Sequence, residues 1–194
     1  IKNKKIWCAA STHPNEEKFC AHVHVNIKKS YKNILTVIIP RHIERIEKIK
    51  KDLFNLKLKI ALFSKFKDVD DETDILLVDS YGEALKFYNI SKCVFLGKSL
   101  VDKLAKDGGQ NPIEPAKLNC KIYHGPNVSN FSEIYKYLND LGVAREIKDS
   151  KELGLLMVEE MKNNDEKNPN ISEKLKNHGQ IIFNNVMGEL NKYI

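Results

Sequence analysis

The chain has 194 residues, 42% hydrophobic and 30% charged, with a formal net charge of +6 at pH 7. That length buries one substantial core, so one domain is expected, and no run of about 18 consecutive apolar residues exists to form a membrane-spanning helix. The basic excess favours acidic partners, but basic residues are spread through the chain and the aromatics form no stacking platform, which speaks against dedicated nucleic-acid binding.

The first residue is Ile1 rather than Met, so the chain is expected to have been exposed by cleavage or cut from something longer. The apolar run Ile6–Ala10 predicts a strand that ends in the polar loop Ser11-Thr12-His13-Pro14. Glu16 and Glu17 then open a helix carrying Phe19, Val23 and Ile27. His22 and His24 face different sides of that helix, which argues against a metal pair. The run Ile34–Ile39 is β-branched and apolar on both faces, the mark of a buried parallel strand. Pro40 ends it, and Arg41 and His42 follow.

Ile43, Ile46, Ile49, Leu53 and Leu56 recur at helical spacing with lysines and glutamates between them, which predicts an amphipathic helix. Strands are expected at Lys59–Phe63, Asp74–Val78 and Cys93–Leu96, with a short helix near Gly82–Tyr88. Gly108-Gly109-Gln110-Asn111-Pro112 reads as a turn into a helix with Pro112 near its first turn. A short strand at Lys121–Tyr123 precedes a helix marked by Phe131, Ile134, Tyr135 and Leu138. After Ala144–Ile147 come a helix through Leu153–Met161, a polar loop at Asn163–Asn170 and a closing helix from about Ile171 to Tyr193. Alternating strands and helices predict an α/β fold, a parallel sheet with helices on both faces that collects ligands beyond the carboxyl ends of its strands. Cys8, Cys20, Cys93 and Cys120 form no CxxC pair and no ligand cluster, so reduced and mostly buried thiols are expected, with no zinc site.

The unusual polar clusters fall just after predicted strands. Gly108-Gly109 can bring backbone amides close to a ligand, and the helix opening near Pro112 would aim free N–H groups at a phosphate. Glu114, just inside that helix, can accept hydrogen bonds from a ribose diol. The alternative is a glycine turn capped by Asn111, with Glu114 serving only the helix dipole. Arg41 could grip a phosphate or carboxylate with its fork of donors, beside a donating His42, or it could simply face solvent with His42 as a cap. Ser11 and Thr12 could donate to a ligand or N-cap the helix at Glu16. Ser129 and Asn130 are placed to cap the helix after Gly125-Pro126-Asn127. Asp79 and Glu83 share the loop Asp79-Ser80-Tyr81-Gly82-Glu83. No complete catalytic set can be assembled from local spacing.

Six segments in order carry a resemblance: Trp7-Cys-Ala-Ala-Ser-Thr-His-Pro-Asn-Glu-Glu17, Ile39-Pro-Arg-His-Ile-Glu-Arg45, Asp79-Ser-Tyr-Gly-Glu83, Phe95-Leu-Gly-Lys-Ser-Leu100, Gly108-Gly-Gln-Asn-Pro-Ile-Glu-Pro-Ala116 and Gly125-Pro-Asn-Val-Ser-Asn-Phe131. Together they resemble the C-terminal domain of 3-deoxy-D-manno-octulosonic acid (Kdo) transferases, glycosyltransferases built from two Rossmann-like domains (GT-B). The resemblance implies that residues 1–194 are a CMP-Kdo binding domain ending in C-terminal helices. It further implies inverting transfer of Kdo to a lipid A precursor in lipopolysaccharide biosynthesis, at the cytoplasmic face of the inner membrane of Gram-negative bacteria. Ser11, Thr12, Arg41, His42, Gly109, Gln110, Asn111 and Glu114 would bind the donor, with Glu114 at the ribose and the Gly109–Asn111 amides, Arg41 and Ser11 around the phosphate and the Kdo carboxylate. The catalytic base, the acceptor surface and the membrane anchor would lie in an N-terminal domain absent from this stretch, which alone would be inactive. No cofactor, metal or nucleic acid is called for. Two departures stand out, Gln110 where histidine is usual and Lys98 where a second glycine is usual. A GT-B transferase using another nucleotide sugar, or a non-catalytic nucleotide- or polyanion-binding module, are the alternatives.

Overall fold

The computed structural model describes residues 4–101, 106–162 and 170–191, so most of the expected polar loop (163–169) and the end of the last helix at Tyr193 lie outside the described residues. Seven strands, β1 (Lys5–Thr12), β2 (Ile34–Pro40), β3 (Ile60–Leu62), β4 (Ile75–Leu77), β5 (Cys93–Leu96), β6 (Lys121–His124) and β7 (Ala144–Glu146), pair in the order β3-β4-β2-β1-β5-β6-β7. Every pairing is parallel. The chain leaves β1 toward β2 on one side and returns to β1's other side with β5, which makes the β1/β5 boundary a topological switch point.

Helices cover both faces, as alternation within β1 shows. Cys8 and Ala10 join Leu35, Val37 and Leu76 under Phe87 and Tyr88 of α3 (Ala84–Ile90) and Tyr135 and Leu138 of α5 (Ser132–Asp140). Trp7 and Ala9 face the other way, among Val23 and Ile27 of α1 (Glu16–Lys28), Ile49 and Leu53 of α2 (Ile46–Leu53), and Leu153 and Met157 of α6 (Ser150–Lys162). Side-chain direction alternates along a strand, so one strand feeds two cores. All seven residues of β2 are buried, as expected for a strand covered on both faces. The four cysteines are free and buried, and burial pushes the Cys93 thiol up to about 12.

Strand ends differ from expectation by one or two residues, and two helices differ for a clear physical reason. The helix expected over Ile43–Leu56 is α2 flanked by 3-10 turns at Ile43–Arg45 and Phe54–Leu56, ended by Lys57 in a left-handed conformation. The helix expected from Gly82 starts at Ala84, because Gly82 has φ +82° and cannot belong to a right-handed helix.

At the amino edge of the sheet, fully buried His24 donates from Nε2 to Asp74 Oδ1 (3.1 Å) and accepts the Thr36 hydroxyl at Nδ1 (2.8 Å). Asp74 also binds Lys28 Nζ and the Lys59 N–H (3.0 Å). This clamp joins α1 to β2 and to the entries of β3 and β4. The last helix, α7 (Ile171–Leu190), buries Ile171 and Leu175 but leaves Ile181, Phe183, Val186 and Leu190 about half exposed or more.

Candidate functional site

At the carboxyl edge, β1 ends in a sharp reversal. Ser11 has φ 54° and Asn15 has φ 77°, and the His13 Nδ1–H donates to the Ser11 carbonyl (3.1 Å). Gly97, just after β5, packs against this reversal so closely that a Cβ there would meet Ser11 O at 2.5 Å, Glu16 Oε2 at 2.7 Å and Thr12 Cα at 2.7 Å. The loops after β1 and β5 are therefore one unit, and glycine is required where they touch.

Two carboxylates hold that unit. Glu16, 1% exposed, accepts the backbone N–H groups of His13 (2.8 Å), Lys98 (2.8 Å), Ser99 (3.0 Å) and Leu100 (3.0 Å). Burial raises its pKa, against the lowering pull of those four amides. Glu17, 3% exposed, accepts the Thr12 hydroxyl (3.0 Å) and both arms of the Arg45 guanidinium (2.9 and 3.1 Å). The sequence predicts Glu16 and Glu17 as the opening of a helix. They do open α1, but their side chains turn back to brace the loops, and nothing in the helical pattern marks that duty. Arg45 was likewise missed, because it sits on the polar side of an amphipathic pattern.

The capping expectations for Ser11 and Thr12 do not hold. Asn15 occupies the N-cap position of α1 with no side-chain cap, and Thr12 is buried and donates to Glu17 instead. Ser11 remains partly exposed at the edge. Arg41 lies beside this reversal, its N–H donating to Thr12 O (3.0 Å), while its side chain is exposed and makes no hydrogen bond or ion pair among the described residues. His42 does not cap the following turn; it meets Glu44 at 3.4 Å and sets its ring edge-on to His13, centroids 5.9 Å apart. Burial lowers the His13 pKa, and the neighbouring His42, Lys98 and Arg45 push it the same way, so the ring is held neutral.

The Gly108 turn abuts the same loops. Gly109 adopts φ +89° and donates its N–H to Lys98 O (2.8 Å), while Gly108 N–H donates to Ser129 Oγ (3.2 Å). The amide cradle expected at Gly109–Asn111 thus narrows to Gln110 and Asn111, whose N–H groups make no hydrogen bond among the described residues. Asn111 Oδ1 accepts the Ile113 N–H (3.0 Å), the cap anticipated as an alternative, and the Gln110 carbonyl accepts the Tyr135 hydroxyl (2.9 Å). The helix that follows, α4 (Ile113–Lys117), has only five residues, so its dipole is slight. Glu114 is exposed on it.

Ser129 and Asn130 are not caps. Ser129 Oγ donates to Lys106 O (2.8 Å) and Asn130 Nδ2 to Asp107 O (2.8 Å), fastening the loop after β6 to the Gly108 turn. Asp79 accepts the N–H (2.9 Å) and hydroxyl (2.5 Å) of Ser64, and Glu83 stands at the N-cap of α3 without a side-chain cap. Loops after β2, β1, β5 and β6 therefore form one hydrogen-bonded shelf around the switch point. The shelf offers cations and unpaired N–H donors, while Glu16, Glu17 and Asp79 are committed to structure. Such a surface can bind an anion and stabilise departing negative charge, while among the described residues these three carboxylates are not free to act as a general base.

No protein-family model matches the chain. It is 30% identical to the 3-deoxy-D-manno-octulosonic acid transferase of Haemophilus influenzae over 193 residues, which covers 100% of this chain and 43% of that protein. It is 34% identical to the enzyme of the same name from Rickettsia bellii over 179 residues, 92% of this chain and 40% of that one. The chain thus spans less than half the length of these curated relatives. Among solved structures, the C-terminal CMP-Kdo binding domain of WaaA from Acinetobacter baumannii superposes with a TM-score of 0.75 at 26% identity, covering 90% of this chain and 86% of that domain. The resemblance to Kdo transferases therefore holds over the whole chain, and the fold is that of the C-terminal domain of a GT-B glycosyltransferase.

Proposed function

We propose that this chain is the donor-binding half of a Kdo transferase, binding CMP-Kdo on the shelf at the β1/β5 switch point, for inverting transfer of the sugar to a lipid A precursor. Residues 1–194 act as one domain, and an N-terminal domain supplies the catalytic base, the acceptor surface and the attachment to the cytoplasmic face of the inner membrane. Among the described residues no helix is long and apolar enough to cross a membrane. The uncovered apolar half of α7 is in keeping with a further packing partner.

The observation that carries the reading is the concentration on this edge of donors unpaired among the described residues, the Arg41 guanidinium and the Gln110 and Asn111 amides, together with the partly exposed Ser11. A nucleoside monophosphate joined to a sugar acid carries two anionic groups, and breaking the bond between them leaves a second charge on the phosphate. Fixed donors around that phosphate stabilise the departing nucleotide. Arg41 and His42 reach from the β2 side, Ser11 and the neighbouring Thr12 stand at the centre, and the turn carrying Gly109, Gln110 and Asn111 closes the other side, with Glu114 set to accept the ribose hydroxyls.

Calorimetric titration with cytidine, uridine and adenosine monophosphates tests this. Selective cytidine nucleotide binding that weakens in Glu114→Ala is expected. Preference for the uridine nucleotide would instead favour a GT-B transferase of another donor, and binding of all three alike would favour a general polyanion module.

A further inference from the structure

We propose that Lys98 is a specificity-determining anion contact for the donor, its ammonium meeting the phosphate or the carboxylate of the bound nucleotide sugar between the ends of β1 and β5. The inference rests on the donor-binding reading above and adds a residue to it.

Three observations converge on this side chain. First, Lys98 has φ 58°, the left-handed region in which a residue with a β-carbon costs about 1 kcal/mol or more relative to glycine. Second, this backbone is fixed from both sides: the Lys98 N–H donates to buried Glu16 Oε2 (2.8 Å) and the Lys98 carbonyl accepts the Gly109 N–H (2.8 Å). The residue cannot relax out of the strained conformation without releasing both loops. Third, the ammonium of this partly buried lysine makes no hydrogen bond or ion pair among the described residues, although its charge is felt by His13 on the neighbouring loop.

An unpaired ammonium held at the switch point of a parallel sheet, opposite the unpaired guanidinium of Arg41 across the end of β1, is placed to meet an anion. The loops that carry the two residues flank the end of β1, so an anionic group at that end lies between them. Charge-assisted hydrogen bonds of this kind are the strong ones. Glycine at this position would satisfy the backbone with less strain but would offer no such contact.

The same variant that tests the contact relieves the strain. Lys98→Gly is expected to fold with a melting temperature at or above that of the unaltered chain, while losing affinity for cytidine monophosphate by on the order of tenfold, one charge-assisted contact. Lys98→Arg should keep most of the affinity. Three ligands separate the anion's source: cytidine, which lacks the phosphate, cytidine monophosphate, and free Kdo, which carries the carboxylate. Loss confined to cytidine monophosphate assigns the contact to the phosphate; loss confined to free Kdo assigns it to the carboxylate; both leave the proposal standing. Equal affinity of Lys98→Gly and the unaltered chain for both anions overturns it. Should the unaltered chain bind neither cytidine nor its monophosphate, the nucleotide reading fails. Inorganic pyrophosphate then decides the Lys98 contact separately, since unchanged pyrophosphate binding in Lys98→Gly overturns that too.

Discussion

Glu16 and Lys98 stand 82 positions apart in sequence, yet the Lys98 N–H donates to Glu16 Oε2 at 2.8 Å, and the same carboxylate gathers the N–H groups of Ser99, Leu100 and His13. A concavity of amides at the switch point of a parallel sheet could hold an external anion. Here an internal carboxylate fills it, so the loop after β5 is shaped before any ligand arrives. Glu16→Ala would leave four amides without their acceptor. We expect a loss of about 3 kcal/mol in chemical denaturation, with Glu16→Gln retaining part of the stability through its single carbonyl.

Gly97 allows the loops after β1 and β5 to touch. Because an added Cβ would lie at 2.5 Å from Ser11 O, Gly97→Ala must push the reversal away from β5. The expected cost is about 1–3 kcal/mol, together with weaker nucleotide binding. Gly142→Ala is a control for general loss of glycine. Its Cβ would meet nothing within 4 Å, although its φ of +69° adds strain, so it should lose stability without losing affinity.

Glu17 and Arg45 form a bidentate pair that also holds the Thr12 hydroxyl. A double-mutant cycle between Glu17→Gln and Arg45→Met should return a coupling energy on the order of 1–3 kcal/mol, since the pair is largely shielded from water. Removing Glu17 alone should cost more than removing both, because Arg45 is then left largely buried without its partner. Independent, additive losses would show that the pair does not brace the loop.

Stability should fall on mild acidification. Burial lowers the pKa of His24, His124 and His13 below the usual histidine value, so in the folded protein these rings stay neutral where the unfolded chain protonates them. The unfolded state then binds more protons, and stability decreases as pH falls below about 6.5. Asp74 adds a second loss at lower pH. Burial acts to raise its pKa, but Lys28 and the Lys59 N–H outweigh it and hold it below the usual carboxylate value, and its stabilisation goes as pH drops through that lowered pKa. Urea midpoints measured from pH 7.5 to 5.5 should decline, and His24→Gln should flatten part of that slope.

The fold was legible because its signals are periodic. The doubly apolar run Ile34–Ile39 became the all-buried β2, and the spacing of Ile46, Ile49 and Leu53 became α2. The position of the polar loops was legible too, since they follow parallel strands. What escaped were contacts made across the sheet: Glu16 to the loop at Lys98, Glu17 to Arg45, and Ser129 to the Gly108 turn. Local spacing offers a helix cap for each of Ser11, Thr12 and Ser129. Tertiary hydrogen bonds to buried carboxylates and backbone groups claimed Thr12 and Ser129 instead, and those depend on strand order, which no local pattern encodes.

The most direct test of the account is where cytidine monophosphate lands on the protein, read from backbone amide chemical-shift changes on titration. The account predicts the largest changes at Ser11–His13, Arg41, Lys98 and Gln110–Asn111, with none at the His24–Asp74 clamp on the opposite edge. Saturable binding that instead perturbs the amino edge or the exposed face of α7, leaving the switch-point loops unmoved, would contradict it.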